Sequence, residues 1–262
     1  MMDKTIVSWR RSCLALCLLF LAAGAAGAEV YSFADALTRA ANAERHLDLQ
    51  TAVNVYGIAE SAESANSTNL CLLARRICDL ACLANSLPAQ KYLVDRALAC
   101  SLQAVKAASN NAAAHACVAV CYAKECAFAS LRDELIDSRL FKLEAEKAIA
   151  LDPKQDIAYY LVGRWNYGVA NVGFLSRAYV KVIYGRLPAA SNEDAIANFQ
   201  KAIELAPGRL IYHAGLAAVY ETTGQKQLEL AELKKCHDLK PAGREDEEAK
   251  RDALKKLAAL GQ

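Results

Sequence analysis

Lys201-Ala202-Ile203-Glu204-Leu205-Ala206-Pro207 returns, 34 residues on, as Lys235-Cys236-His237-Asp238-Leu239-Lys240-Pro241. A third copy, Lys147-Ala148-Ile149-Ala150-Leu151-Asp152-Pro153, lies 54 residues before the first, one period plus 20. Each copy reads as the end of an amphipathic helix. Each stops at a proline, whose ring has no N–H to donate and clashes with the carbonyl one turn back. A second signal recurs upstream of each proline. Leu216, Ala217 and Tyr220 sit at i, i+1 and i+4 ahead of Gly224, and Val118-Ala119 with Tyr122 and Val162-Gly163 hold the same register. A small residue at that place lets two helices cross closely. Ala195, Phe199 and Ala202 then give the following helix a small-large-small face.

A helix pair with a small residue at its crossing and a proline at its end, repeated at this period, is a tetratricopeptide repeat. The pattern predicts an all-α, right-handed solenoid of about five helix pairs: 34–46 with 49–60, 69–86 with 88–107, 111–129 with 137–151, 156–170 with 192–205, and 209–222 with 225–239. A charged helix over 245–260 is expected to cap the open end. It would turn Leu254, Leu257 and Ala258 inward and Lys255 and Lys256 to water, as a solenoid needs for solubility. Two pairs exceed the period. The third carries about ten extra residues near 129–136, placed between its helices. The fourth carries an insertion at 171–191 in which Phe174, Tyr179 and Tyr184 interleave with Arg177 and Lys181. Such an apolar, basic segment is expected to form a short helix and pack.

Composition agrees with a helical chain. The 262 residues are 55% hydrophobic, with only 5 prolines and 12 glycines, against a many-stranded or disordered chain. The net charge of +2 resides in the first 28 residues, where Lys4, Arg10 and Arg11 oppose Asp3. A neutral remainder gives no reason to expect nucleic acid as a partner, because that affinity comes from neutralising phosphates. Residues 1–28 read as a secretory signal: Arg10-Arg11, an apolar run rich in leucine, then Ala26-Gly27-Ala28 with cleavage expected before Glu29. The mature domain would span 29–262 and be periplasmic or secreted. The alternative is an uncleaved membrane anchor, although the run is short of the ~20 residues a spanning helix needs.

The run Gly163-Arg164-Trp165-Asn166-Tyr167-Gly168-Val169-Ala170-Asn171 resembles the signature of the regulator-of-microtubule-dynamics family. In that family the same insertion follows, then a helix similar to 193–207. Asn110-Asn111-Ala112-Ala113-Ala114-His115 and Leu151-Asp152-Pro153-Lys154 also match. The resemblance runs from about Ser32 to Lys240 and is densest from 109 to 207. It implies a tetratricopeptide-like fold and, from animal members, association with microtubules or tethering and lipid handling at organelle contacts. The export signal is the departure, since it would take the chain away from tubulin.

Other features favour binding over catalysis. No Ser-His-Asp, nucleotide-loop or paired-carboxylate motif occurs, so the chain reads as a non-enzyme without cofactor. Eight cysteines follow the signal, with Cys78/Cys82 and Cys117/Cys121 at i, i+4. The C-x2-C spacing of zinc sites is missing, so packing is favoured and no metal is expected. A disulfide joining Cys78 or Cys82 to Cys100 or Cys117 remains open. Trp165 is expected to pack under the insertion and Arg164 to pair with a carboxylate or cap a carbonyl; the alternative sets both, with Asn171, along a groove wall. A protein or peptide partner is expected on the concave face lined by first helices, with Tyr159, Arg164, Asn166, His115, Tyr122 and His213 as groove candidates. Phe174, Arg177, Tyr179, Lys181 and Tyr184 are candidate contacts on the insertion, and lipid is the alternative ligand.

Overall fold

The computed structural model describes residues 32–46, 48–62, 66–173 and 189–261, together with Arg177 and Lys181. The expected signal and most of the insertion, including Phe174, Tyr179 and Tyr184, lie outside the described residues. Among these residues there are eleven α-helices and no strand. They are α1 (Phe33–Arg45), α2 (Leu49–Ala62), α3 (Ser67–Ala81), α4 (Leu87–Ala107), α5 (Ala112–Glu125), α6 (Leu131–Leu151), α7 (Asp156–Ala170), α8 (Asn192–Leu205), α9 (Leu210–Thr222), α10 (Lys226–Asp238) and α11 (Arg244–Ala259). Consecutive helices pack as five hairpins, from α1–α2 to α9–α10, and α11 docks on α9 and α10. The molecule is an all-α tetratricopeptide-type solenoid.

Local chemistry sets the helix ends. Ser32, Asn66, Ser86, Asn111, Ser130 and Ser191 each accept a first-turn backbone N–H through the side chain, supplying a partner the helix itself lacks. Asp152 and Ala206, which precede Pro153 and Pro207, leave helical geometry at φ −148° and −144°. That is the conformation a following proline imposes. Gly224 turns α9 into α10 at φ 72°, and the Gln225 N–H donates back to the Tyr220 carbonyl at 2.8 Å, closing a Schellman turn.

The crossings are tight where small residues predicted them. Ala119 is fully buried in the same cluster as Ala145 and Ala148 of α6. Ala217 packs with Leu233 and Cys236 of α10. A Cβ on Gly163 would stand 3.0 Å from the Phe199 ring. Gly215, on α9, approaches the same ring from the next repeat, where a Cβ would stand 2.8 Å from it. Phe199, 1% exposed, is therefore wedged between α7 and α9.

Three expectations need correction. The extra residues of the third pair are not a linker: Ser130 caps them, its hydroxyl accepting from Asp133 N, and they wind into a 21-residue α6. Helix α3 ends at Ala81 rather than at residue 86. On α11 the buried stripe is Asp246, Ala253 and Leu257, spaced one or two turns apart, whereas Leu254 and Ala258 face solvent. Lys255 is exposed, and Lys256 instead pairs with Glu221.

Candidate functional site: a charged groove on the inner face

The first helices of successive pairs, α3, α5, α7 and α9, stand side by side. Their shared face holds a groove made of two connected cavities, about 500 Å³ between α5, α7, α9 and α11 and about 280 Å³ toward α3. Val120, Lys124, Ile157 and Glu245 line both. The floor is apolar and small: Val120, Ile157, Leu161, Ala214, Gly215 and Ala217. The wall opposite α5 and α7 is α11, with Glu245, Glu248, Ala249 and Asp252.

Tyr160 anchors the floor. Its ring lies 5.7 Å from Phe199 and 5.1 Å from Tyr212 between centroids, and the Arg164 guanidinium sits 5.9 Å over it. The spacing is i, i+4, one helical turn on one face of α7. Burial pushes the Tyr160 hydroxyl above its ordinary range. Lys124 reaches the Glu245 carboxylate at 2.5 Å. Burial opposes both charges, yet the pair prevails. Glu245 and the neighbouring thiols hold the Lys124 ammonium well above its usual range, and Lys124, Arg209 and Arg164 hold the Glu245 carboxyl below its own.

Of the six groove candidates from sequence, Arg164 lines the groove, lying over Tyr160, with no carboxylate in ion-pair range among the described residues. The other five do not line it. Tyr159 packs into the α8–α9 cluster with Ala202 and Tyr212. Tyr122, on α5, packs against the cluster that α5 forms with α6 and α7. Asn166 is buried, its amide donating to the Val162 carbonyl at 3.0 Å. His115 and His213 are also buried, and they form one repeated device. In His115, Nδ1 meets Glu144 at 2.5 Å and Nε2 meets the Ser109 carbonyl at 2.9 Å. In His213 the partners are Glu232 at 2.6 Å and the Pro207 carbonyl at 3.0 Å. Each ring ties the turn before a hairpin to the second helix of that hairpin. Burial lowers the His213 basicity, but Glu232 and Pro207 overcome it, so the imidazole is held above its ordinary range.

Trp165 belongs to the α5–α7 core with Phe141 and Ala190, under the Lys142 ammonium at 4.7 Å. Arg177 and Lys181 are exposed, and Arg177 donates to the Val172 carbonyl at 3.0 Å. The eight described cysteines are free thiols, and the pairings open from sequence are not formed. Cys78 faces Cys121 instead, sulfur to sulfur at 3.8 Å. Burial pushes the Cys100, Cys126 and Cys236 thiols up to about 12, far from the thiolate a nucleophile needs.

Sequence reasoning missed Lys124, Tyr160 and Glu245. The signal was present as phase: 120/124 and 160/164 are i, i+4 stripes on α5 and α7, one or two positions away from the chosen Tyr122 and Tyr159. Glu245 had no such signal, because it arrives from a helix 121 positions later in the chain.

The profile of the family described as Regulator of microtubule dynamics protein 1-3 matches residues 31–261. The chain belongs to that family. Among its relatives, Regulator of microtubule dynamics protein 1 of Bos taurus is 28% identical over 233 residues, covering 87% of this chain and 70% of that one. Regulator of microtubule dynamics protein 3 of Xenopus laevis is 30% identical over 178 residues, covering 68% of this chain. The match spans only 38% of the frog protein's length. A thermophilic TPR protein of Thermus thermophilus superposes with TM-score 0.57 at 16% identity, covering 85% of this chain and 99% of that one. That likeness is one of fold. It places this member of the family among tetratricopeptide solenoids.

Proposed function

We propose that this chain is a non-catalytic scaffold that holds a segment of a protein partner in the groove between α5, α7, α9 and α11. One observation carries the reading. The groove combines an apolar floor with polar groups that the fold leaves uncommitted: among the described residues, the Tyr160 hydroxyl has no hydrogen-bond partner and Arg164 no carboxylate in ion-pair range. Tyr160 is half-buried and Arg164 exposed, so both are open to a ligand, and a few such polar groups beside an apolar floor are what a binding site presents.

The test is capture from the native compartment with the full chain, the Tyr160→Ala/Arg164→Ala double variant and the exposed control Lys226→Ala, which lies on α10 away from the groove. A single saturable partner should bind the wild type and the control and be lost from the double variant. Equal capture by all three overturns the reading. Native mass spectrometry adds a second arm, since a stoichiometric co-purifying lipid would make the groove an acyl-chain site instead. We further propose that residues 1–28 export the chain, on the strength of their charged, apolar and small-residue succession. N-terminal sequencing of the mature protein should begin at Glu29; an intact Met1 in the cytoplasm would return the microtubule association of the relatives' names to consideration.

A further inference from the structure

Two adjacent acids open α11, and they are held in opposite ways. Asp246 is 1% exposed. Its carboxylate accepts the Ile211 N–H at 3.0 Å and the Ala242 N–H at 2.9 Å. Since Arg209 offers α9 no side-chain cap, Asp246 caps that helix from another element. Together with Ala253 and Leu257 it fastens α11 to the fold. Glu245 is different. Its side chain is 45% exposed, and among the described residues its carboxylate meets Lys124 alone. It can swing away from Lys124 while α11 stays docked.

The remaining charges of the groove point one way. Its acids are mostly engaged: Asp156 accepts the Tyr212 hydroxyl at 2.6 Å, Asp252 pairs with Lys255, and Glu248 lies 3.9 Å from Arg251. Asp79, beside Lys124 on the α3 side, is the exception among the described residues. Among the cations, Lys256 pairs with Glu221 and Arg209 lies 3.9 Å from Asp246, but two arginines are held by no acid among the described residues. Arg164 and Arg75 line the groove on either side of Lys124, with no carboxylate in ion-pair range among the described residues. An incoming acidic segment therefore finds two arginines not held by a carboxylate, flanking Lys124, while a basic one finds Asp79 uncommitted and the other acids already in contact with partners.

We propose that Lys124, flanked by Arg75 and Arg164, is a recognition site for carboxylates on an acidic segment of a partner protein, and that Glu245 occupies this site as a resident competitor. This rests on the groove being the partner site and names the chemistry of the occupant. A ligand carboxylate replaces that of Glu245 on the Lys124 ammonium, and the two arginines take further acids along the segment. Because the resident pair keeps the site filled most of the time, removing it should raise the apparent affinity by the inverse of the open fraction.

The probe is a fluorescein-labelled amphipathic 12-residue peptide of glutamate, alanine and leucine, beside its glutamine isostere, followed by anisotropy on the full chain at two salt concentrations. Glu245→Gln should bind the acidic peptide about five- to tenfold more tightly than wild type if the resident pair closes the site 80–90% of the time. The gain should shrink in high salt, and the glutamine peptide should show none. Lys124→Gln with Arg164→Gln should lose binding, and Lys124→Arg should restore most of it. An unchanged thermal midpoint for Glu245→Gln certifies that the fold is intact. If Glu245→Gln gains nothing, or both peptides bind alike, acidic recognition is wrong, though the groove survives as long as Tyr160→Ala abolishes binding. If Tyr160→Ala binds as wild type does, the groove itself is wrong. If Glu245→Gln gains only for vesicles containing phosphatidic acid, the occupant is a lipid and the proposal falls.

Discussion

The α5–α6 hairpin and the α7–α8–α9 step bring helices together by opposite means. In the first, alanine meets alanine: Ala119, Ala145 and Ala148 are all fully buried, and closeness is shared among several methyl groups. In the second, one ring fills the space that two absent side chains leave, with Phe199 between Gly163 and Gly215. The stability is therefore distributed differently. A seam of methyls degrades gradually, whereas a wedge concentrates its contribution in a single residue. The largest expected effect follows from that contrast. Phe199→Ala should cost about 3–5 kcal/mol, since it removes a buried ring and leaves a cavity. Ala145→Gly in the seam should cost only about 1 kcal/mol, chiefly through helix propensity. Urea denaturation of the two variants measures the gap, and equal losses would mean that the wedge has no special weight.

Gly215→Ala sharpens the comparison because two effects oppose each other. Alanine is the better helix former by about 1 kcal/mol. Against this, the new Cβ would stand 2.8 Å from a ring that Tyr160 and the α7–α9 core prevent from swinging aside. Overpacking of this kind costs about 1–3 kcal/mol, so the net change should be destabilising. Adding Phe199→Leu should recover part of the loss relative to additivity, because the two side chains contend for one space. A Gly215→Ala variant more stable than wild type would show that the glycine is dispensable and the wedge has one jaw, not two.

The same contrast explains what could be read in the sequence. Pro207 and Pro241 fixed the period, and Pro153 marked a third helix end, because a proline acts on its own helix; Gly163, Ala119 and Ala217 fixed the hairpin crossings because that contact lies within one repeat. Gly215 escaped because its contact belongs to the junction between repeats, where no fixed spacing advertises it. The start of α6 escaped although Ser130 and Asp133 carry its capping signal, because a linker was assigned to length alone. The groove was legible as a surface of first helices but not residue by residue. A rotation of one position on α7 exchanges Tyr159, which packs against α8 and α9, for Tyr160, which faces the groove. Glu245 was beyond reach, since nothing local to α11 says which helix its first turn will meet.

The smallest effect concerns the histidine brace, which both regions share and which should fade in opposite directions of pH. At His213 burial disfavours the charged ring, but the Glu232 hydrogen bond and the Pro207 carbonyl outweigh it, and the folded pKa is raised. Its stabilisation is complete below the unfolded value near 6.5 and is lost as pH rises through the folded one. At the other brace, burial disfavours the charged Glu144, but Lys147 and His115 outweigh it and its folded pKa is lowered. That contribution is present above the unfolded value near 4.3 and is lost as pH falls through the folded one. His213→Gln should therefore cost about 1 kcal/mol at pH 5.5, dwindling toward pH 9. Glu144→Gln should cost about as much at pH 7, dwindling in acid. The urea midpoint followed across pH for both variants decides the matter. Were the His213→Gln curve to run parallel to wild type from pH 5.5 to pH 9, the ring would be held by shape alone and its charge would be irrelevant to the turn it ties down.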